Sequence, residues 1–350
     1  MARTVSYPML VDGQECAVQA CIGIATTRGE GDLAAVPAAE RPAELLKRAH
    51  LALYIAKQDG AGLCRIYSPE FDDRVRNRVT LRQSLQRAIS QSQFQLHYQP
   101  VVDLDSGRIV GAEALVRWLH PELGVQRPDV FIPFAESSGL IVPLGQWVMK
   151  QAMQQVRAWA SQGLQAPRIA INLSSVQLSR PGFIAAVKQA LHETGADPRQ
   201  LEFELTEGVF LEGSNETFQQ LNALRAMGFE LALDDFGTGH STFKYLRDFP
   251  VQKIKIDQTF VRQLVIDSSD ASIVRAIIAV SRSLGLSVVA EGIETALQRD
   301  FLRDEGCKIG QGYLYSMPLV AEDFGWLLQS GMALQLGQRA RMAQLDGAAV

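Results

Sequence analysis

LEFELTE (201–207), ELALDDFGTG (230–239) and KIKID (253–257) are the stretches that decide the fold. Each is a short apolar run with Glu, Asp or Lys at alternating positions, the pattern of a strand rather than a helix. Helical sequence follows each of them. The alternation continues in both directions. Strands are expected at 94–103, 108–118, 167–174, 201–207, 230–236, 253–257, 287–293 and 307–315. Helices are expected at 143–162, 181–194, 215–227, 260–284 and 295–305, with a short one at 241–248. Eight strands interleaved with helices argue for an α/β fold, and the count favours a closed TIM-like (β/α)₈ barrel over an open sheet. Only a few residues, around Asp105-Ser106-Gly107, join the first two strands, and so short a turn makes an antiparallel hairpin. One strand should therefore run against the rest.

In such a barrel, reactive side chains belong at the carboxyl ends of the strands. Successive runs carry Glu113, Asn172, Glu204, Asp234 with Asp235, Lys255, Glu291 and Gln311. Any one of these could be a salt-bridged core residue. Seven runs in succession cannot be explained that way, because unpaired buried charges are costly. The donors are all oxygens, which suits Mg²⁺ or Mn²⁺, and so many carboxylates suggest two ions. A two-metal site activates water and stabilises the leaving oxygen of a phosphoester. Lys255 adds a positive charge that orients the water or stabilises the phosphoryl group. Glu113, Leu115 and Arg117 share a strand face, so Arg117 offers a fork to a phosphate. Lys253, Lys255 and Asp257 share another, and Asp257 is placed to accept a hydrogen bond from a base or from Lys255. The glycines after Asp234-Asp235 permit a tight turn, and the loop reads as a lid.

The 350 residues are 47% hydrophobic and 21% charged, which excludes a mainly disordered chain. Lys plus Arg is 34 and Asp plus Glu 38, a net charge of −4. There is no basic excess for a nucleic-acid polymer. Cys16, Cys21, Cys64 and Cys307 form no CxxC pair and read as small buried residues of a reducing cytosol. No apolar run is long enough to span a membrane, and the first residues have no signal-peptide core. A cytoplasmic chain is expected, with membrane attachment left to any longer parent.

The chain resembles an EAL-domain cyclic di-GMP phosphodiesterase. The resemblance rests on YQPVVD (98–103), GAEALVRW (111–118), FIPFAE (131–136), INLS (171–174), ELTE (204–207), LDDFGTG (233–239), KIKIDQTFV (253–261), VVAEGIET (288–295) and GQGYLYSMP (310–318). It implies Mg²⁺- or Mn²⁺-dependent hydrolysis of cyclic di-GMP to linear pGpG, and a tendency to form homodimers. Glu113, Asn172, Glu204 and Asp234 match the family's first metal site, and Asp235 its second-metal ligand. Lys255 and Glu291 match residues that position or deprotonate the attacking water. Glu207 matches the glutamate that anchors the DDFGTG loop. Gln99, Leu115, Arg117, Asp257, Glu294 and Gln311 match the substrate pocket or its support. Gly208, His240, Thr242-Phe243 and Lys308 depart from the family pattern, and none is a metal ligand. The alternatives are a non-catalytic cyclic di-GMP receptor and a metal-dependent barrel enzyme with another substrate. Receptors of this fold usually lose metal ligands, and this chain keeps them all.

Residues 1–68 resemble the C-terminal half of a GGDEF domain, through CIGIA (21–25), AELLKRAHLALYIAKQDGAG (43–62) and CRIYSPE (64–70). His50 replaces the usual Asp. The GGDEF signature itself is not in the sequence, so no cyclase activity is expected. The implied organisation is this segment, a linker helix over 69–92, a barrel over 93–332 and a tail over 333–350.

Overall fold

The computed structural model of the chain describes residues 9–11, 14–16, 19–27, 33, 36–211, 215–237, 249–264 and 268–334. Two compact units divide the chain, Met1–Ser84 and Leu85–Val350. Among the described residues, no helix is long and apolar enough to cross a membrane.

In the first unit, β1 (Met9–Val11) and β2 (Gln14–Cys16) form an antiparallel hairpin. β3 (Ile22–Ile24) and β4 (Cys64–Ile66) pair in parallel, with α1 (Arg41–Asp59) between them in sequence. β2 and β3 thus belong to different sheets. Pro42 stands in the first turn of α1, where its missing N–H costs nothing. The helix buries Ala52, Ile55 and Ala56, while Leu46 is 59% exposed. Gly23 is needed because a Cβ there would lie 2.1 Å from the backbone N of Leu53. α2 (Glu70–Ser90) follows. Of the cysteines, Cys307 is buried as expected, but Cys64 is exposed.

The second unit is the barrel. Its strands are β5 (Phe94–Asp103), β6 (Ile109–His120), β8 (Arg168–Asn172), β9 (Leu201–Thr206), β10 (Glu230–Phe236), β11 (Lys253–Ile256), β12 (Ser287–Ala290) and β13 (Ile309–Gly310). They pair in the order β5-β6-β8-β9-β10-β11-β12-β13, and β13 returns to β5. β5 is antiparallel to both its neighbours, and every other pairing in the ring is parallel. The hairpin turn is held by Asp103, whose Oδ1 accepts from the Ser106 N–H at 2.8 Å, and by Gly107 at φ +70°. Two short strands extend the sheet, β7 (Gly124–Gln126) beside β6 and β14 (Leu319–Val320) beside β5.

The helices are α3 (Pro128–Ser138), α4 (Ile141–Ser161), α5 (Ser175–Leu178), α6 (Phe183–Thr194), α7 (Gly208–Leu211), α8 (Asn215–Met227), α9 (Gln258–Gln263), α10 (Ser268–Ser283), α11 (Ala296–Asp304) and α12 (Ala321–Ser330). Their apolar faces cover the strands. Trp159 of α4 meets Tyr98 of β5 at 4.9 Å and Phe324 of α12 at 5.3 Å, centroid to centroid. On the other side, Ile254 and Ile256 pack with Val274, Ile277 and Ile278 of α10. The expected helix 260–284 is two helices, α9 and α10. The expected helix 241–248 lies outside the described residues. α3 and α12 were not expected from the sequence. The last two strands are shorter than their apolar runs, because the chain leaves the sheet after Ala290 and Gly310.

Candidate active site

Strand register gathers the polar residues at one level inside the barrel. Asn172 of β8 stands opposite Glu204 of β9, and Ala170, two residues below Asn172, stands opposite Glu113 of β6. Asn172 Nδ2 donates to Glu113 Oε1 at 2.7 Å. Gln311 Nε2 donates to Glu113 Oε2 at 2.7 Å and to Glu291 Oε1 at 3.0 Å. Gln311 thereby ties the far end of the ring to its start.

Lys255 stands at the centre and is 1% exposed. Its Nζ lies 2.6 Å from Glu291 Oε1, 2.8 Å from Glu204 Oε2, 3.2 Å from Asp234 Oδ1 and 3.6 Å from Glu113 Oε2. These are charge contacts rather than well-aligned hydrogen bonds, so Glu204 Oε2 and Asp234 Oδ1 keep buried lone pairs without a directed donor. Four carboxylates against one ammonium leave an excess of negative charge. Burial, reinforced by the neighbouring carboxylates, lifts Glu204, Asp234 and Glu291 above the usual carboxyl range despite Lys255. Glu113 goes the other way. Burial would raise it, but the Lys255 charge and the bonds from Gln311 and Asn172 outweigh that and hold it low. Burial would likewise lower Lys255, and the carboxylates reverse this, so it stays charged.

Asp235 is pushed up to about 6, first by burial and then by Asp234 and Asp257. It is held at φ +54°, in left-handed backbone that Asp tolerates better than most residues. Gly237, at φ +101°, completes the turn, where a Cβ would come within 3.0 Å of the Phe260 ring. Carboxylate oxygens of Asp234, Asp235 and Glu291 lie within 4.8 Å of one another. Oxygen-only donors, converging carboxylates and buried lone pairs without directed donors fit one or more hard divalent cations. The converging trio includes Glu291, whereas each Glu113 oxygen accepts one hydrogen bond, from Asn172 and from Gln311.

A cavity of about 730 Å³ opens above this layer. Gln99, Glu113, Leu115, Arg117, Asp234, Glu291, Glu294 and Gln311, all expected at the site, line it. Arg117 is half-buried, and burial lowers its pKa. Gln99 Nε2 donates to the Ser316 carbonyl at 3.3 Å. Asn172, Glu204, Asp235 and Lys255 are not among its lining residues. Asp257 Oδ1 caps α9, accepting from the Thr259 N–H at 2.9 Å and from the Thr259 hydroxyl. Glu207 is buried at the end of β9. The loop it was expected to anchor lies, from Thr238 through His240 and on to Asp248, outside the described residues.

Sequence reasoning missed His97, Arg127, Arg262 and Tyr313, which also line the cavity. His97 was findable, since it stands two residues from Gln99 on the same face of β5. Burial and the Arg117 charge lower its pKa.

Fold and site together define a (β/α)₈ barrel with one antiparallel strand and a lysine-centred carboxylate cluster under an open cavity. The chain belongs to the EAL domain family, whose profile matches residues 82–318. It is 37% identical over 322 residues to the bifunctional diguanylate cyclase/cyclic di-GMP phosphodiesterase MucR of Pseudomonas aeruginosa, covering 92% of this chain and 46% of that protein. It is 36% identical over 319 residues to the cyclic di-GMP phosphodiesterase NbdA of the same organism, covering 91% of this chain and 40% of that protein. The chain thus spans less than half the length of these curated relatives. Among solved structures, the MucR phosphodiesterase in complex with c-di-GMP superposes with a TM-score of 0.68 at 41% identity, over 70% of this chain and 99% of that one. The EAL domain of Mycobacterium smegmatis DcpA gives 0.59 at 35% identity, over 68% and 98%.

Proposed function

We propose that this chain hydrolyses cyclic di-GMP to linear pGpG. The observation that carries the reading is the cluster of Glu113, Glu204, Asp234 and Glu291 around Lys255 beneath an open cavity. The relatives' cyclic di-GMP chemistry supplies the substrate class. Glu113, Asn172, Glu204 and Asp234 would hold a first Mg²⁺ or Mn²⁺, and Asp235 a second. The ions would neutralise the phosphodiester and make water nucleophilic near neutral pH.

The chain's own residues do the rest. Arg117 forks to a phosphate from the cavity wall. Gln99, Leu115 and Glu294 position the nucleotide. Glu291, raised above the ordinary carboxyl range, is a stronger base than an exposed glutamate and takes the proton of the attacking water. Lys255 keeps its proton and places positive charge where the phosphoryl oxygens gain negative charge. Gln311 fixes Glu113 and Glu291 relative to each other. Glu207 is buried at the end of β9, and Asp257 holds α9 in place beside Asp235.

The finer organisation belongs to the same reading. Residues 1–68 are a segment similar to part of a GGDEF domain, 69–92 a linker, 93–332 the working barrel and 333–350 a tail. The barrel pairs as a homodimer in the cytoplasm. A non-catalytic receptor role gains no support from the site, which has its full acidic set.

The test is incubation of the purified chain with cyclic di-GMP and either Mg²⁺ or Mn²⁺, with products resolved by chromatography. Linear pGpG should accumulate, and Glu113→Ala should lower the rate by about 10²-fold or more. Absence of pGpG with both ions overturns the proposal, and tight binding without turnover would establish the receptor role instead.

A further inference from the structure

The barrel is not filled beneath the four carboxylates. A second cavity of about 220 Å³ lies inside the sheet toward the amino ends of the strands. Glu204 and Lys255 line its upper part, and Glu202 and Lys253 line it below them. Gly111 and Ala170 face the same space and fill little of it. Glu202 and Glu204 share the inner face of β9, and Lys253 and Lys255 that of β11. Each pair is one strand repeat apart, about 6.6 Å.

Glu202 is 2% exposed, and its Oε2 is in direct contact with the Lys253 ammonium. Neither residue lines the upper cavity. A long, flexible lysine side chain at position 255 thus has carboxylates on two sides. Four lie around its present position, and Glu202 lies across open space below. The lower carboxylate does not compete because it already holds a cation.

We propose that Lys253 is a positioning residue: by neutralising Glu202, it keeps the Lys255 ammonium with Glu113, Glu204, Asp234 and Glu291. The proposal rests on the reading of that cluster as the hydrolytic centre. Without Lys253, Glu202 becomes a bare buried carboxylate beside a cavity whose other cations are Lys255 and Arg168, and Arg168 is already paired with Glu230 at 2.6 Å, which leaves Lys255 to turn in. A buried charge stripped of its partner recruits the nearest counter-charge.

The experiment compares the full chain with Lys253→Met, Glu202→Gln and the double variant. Lys253→Met should lower kcat by about tenfold or more with KM within about threefold, since the substrate cavity is untouched. Glu202→Gln alone should stay within about threefold of the parent kcat, and the double variant should recover to the same range, because the competing charge is gone. A crystal structure of metal-free Lys253→Met supplies a readout independent of turnover. Lys255 Nζ, now 2.6 Å from Glu291, should have left ion-pairing distance of it. A parent-like kcat in Lys253→Met overturns the proposal, and so does a double variant with a tenfold or greater loss of about the size expected for Lys253→Met. If Lys253→Met fails to fold, the double variant decides alone, because it carries no uncompensated charge. If the parent makes no pGpG, the hydrolytic reading fails separately and the Lys255 position decides this one.

Discussion

Asp235 combines a left-handed backbone, a half-buried carboxyl and two acidic neighbours. Its folded pKa of about 6 exceeds the ordinary value of 3.8, so between those values the folded chain binds a proton that the unfolded chain releases. Stability in the absence of divalent cations therefore falls as pH rises through that window. Asp235→Asn removes the titration and keeps a side chain that accepts left-handed backbone. In chelator, the variant should melt above the parent by a margin that widens from pH 4.5 to pH 6.5. Solvent screens a half-buried group, so the gain at the upper end is about 1 kcal/mol, or about 2–4 °C. Melting curves at several pH values check this, and a margin independent of pH would contradict it. The polar residues at the strand ends were legible because a period of two assigns each to a face. The Glu202–Lys253 pair was less so. Lys253 was placed on the inner face, but its partner depends on a cavity depth that no linear pattern encodes.

The chain after β12 and β13 shows how glycine places catalytic side chains. A Cβ on Gly312 would lie 2.2 Å from the Ile293 carbonyl oxygen and 2.3 Å from its nitrogen. Those atoms are backbone and cannot rotate away. Gln311, one residue earlier, bonds Glu113 and Glu291. Gly312→Ala should therefore cost about 1–3 kcal/mol in stability and lower kcat, because the two segments must separate. Gly163, at φ +76° with open space around it, is the control: Gly163→Ala should cost about 1 kcal/mol from backbone strain and leave turnover unchanged. Thermal melts and rates on both variants separate collision from strain. The same crossing explains the misread strand at 307–315. Its Tyr and Leu residues favour a strand, but after Gly310 the chain packs against Ile293 instead of continuing the sheet. α3 escaped notice because Pro128 and Pro133 resemble loop residues, although Pro128 sits at the helix start.

The architecture of the barrel unit was legible because a hairpin turn of only a few residues forces β5 to run against β6, and the parallel rule orders the rest. Which strand closes the ring was not, since β13 pairs with β5 through few residues and no side-chain pattern marks that edge. Closure has an energetic consequence. It gathers Glu113, Glu204, Asp234 and Glu291 around Lys255, four carboxylates about one ammonium, so the cation-free barrel carries a standing electrostatic cost. A divalent cation that binds the folded state alone relieves it, and the gain follows from mass action: about 2.7 kcal/mol at a free concentration of 100 Kd. For a unit of this size, that is a rise of about 5–10 °C in Tm. The gain should be larger at pH 7.5 than at pH 5.5, where Asp235 is partly protonated and its proton competes with the ion. Calorimetric scans with Mn²⁺, with Mg²⁺ and with chelator, at both pH values, read this directly. Asp234→Asn, which removes a carboxylate from the converging trio, should abolish most of the shift while leaving the cation-free barrel folded. A Tm indifferent to both ions, or a full shift retained in Asp234→Asn, would mean that the cluster is balanced by Lys255 alone and holds no metal.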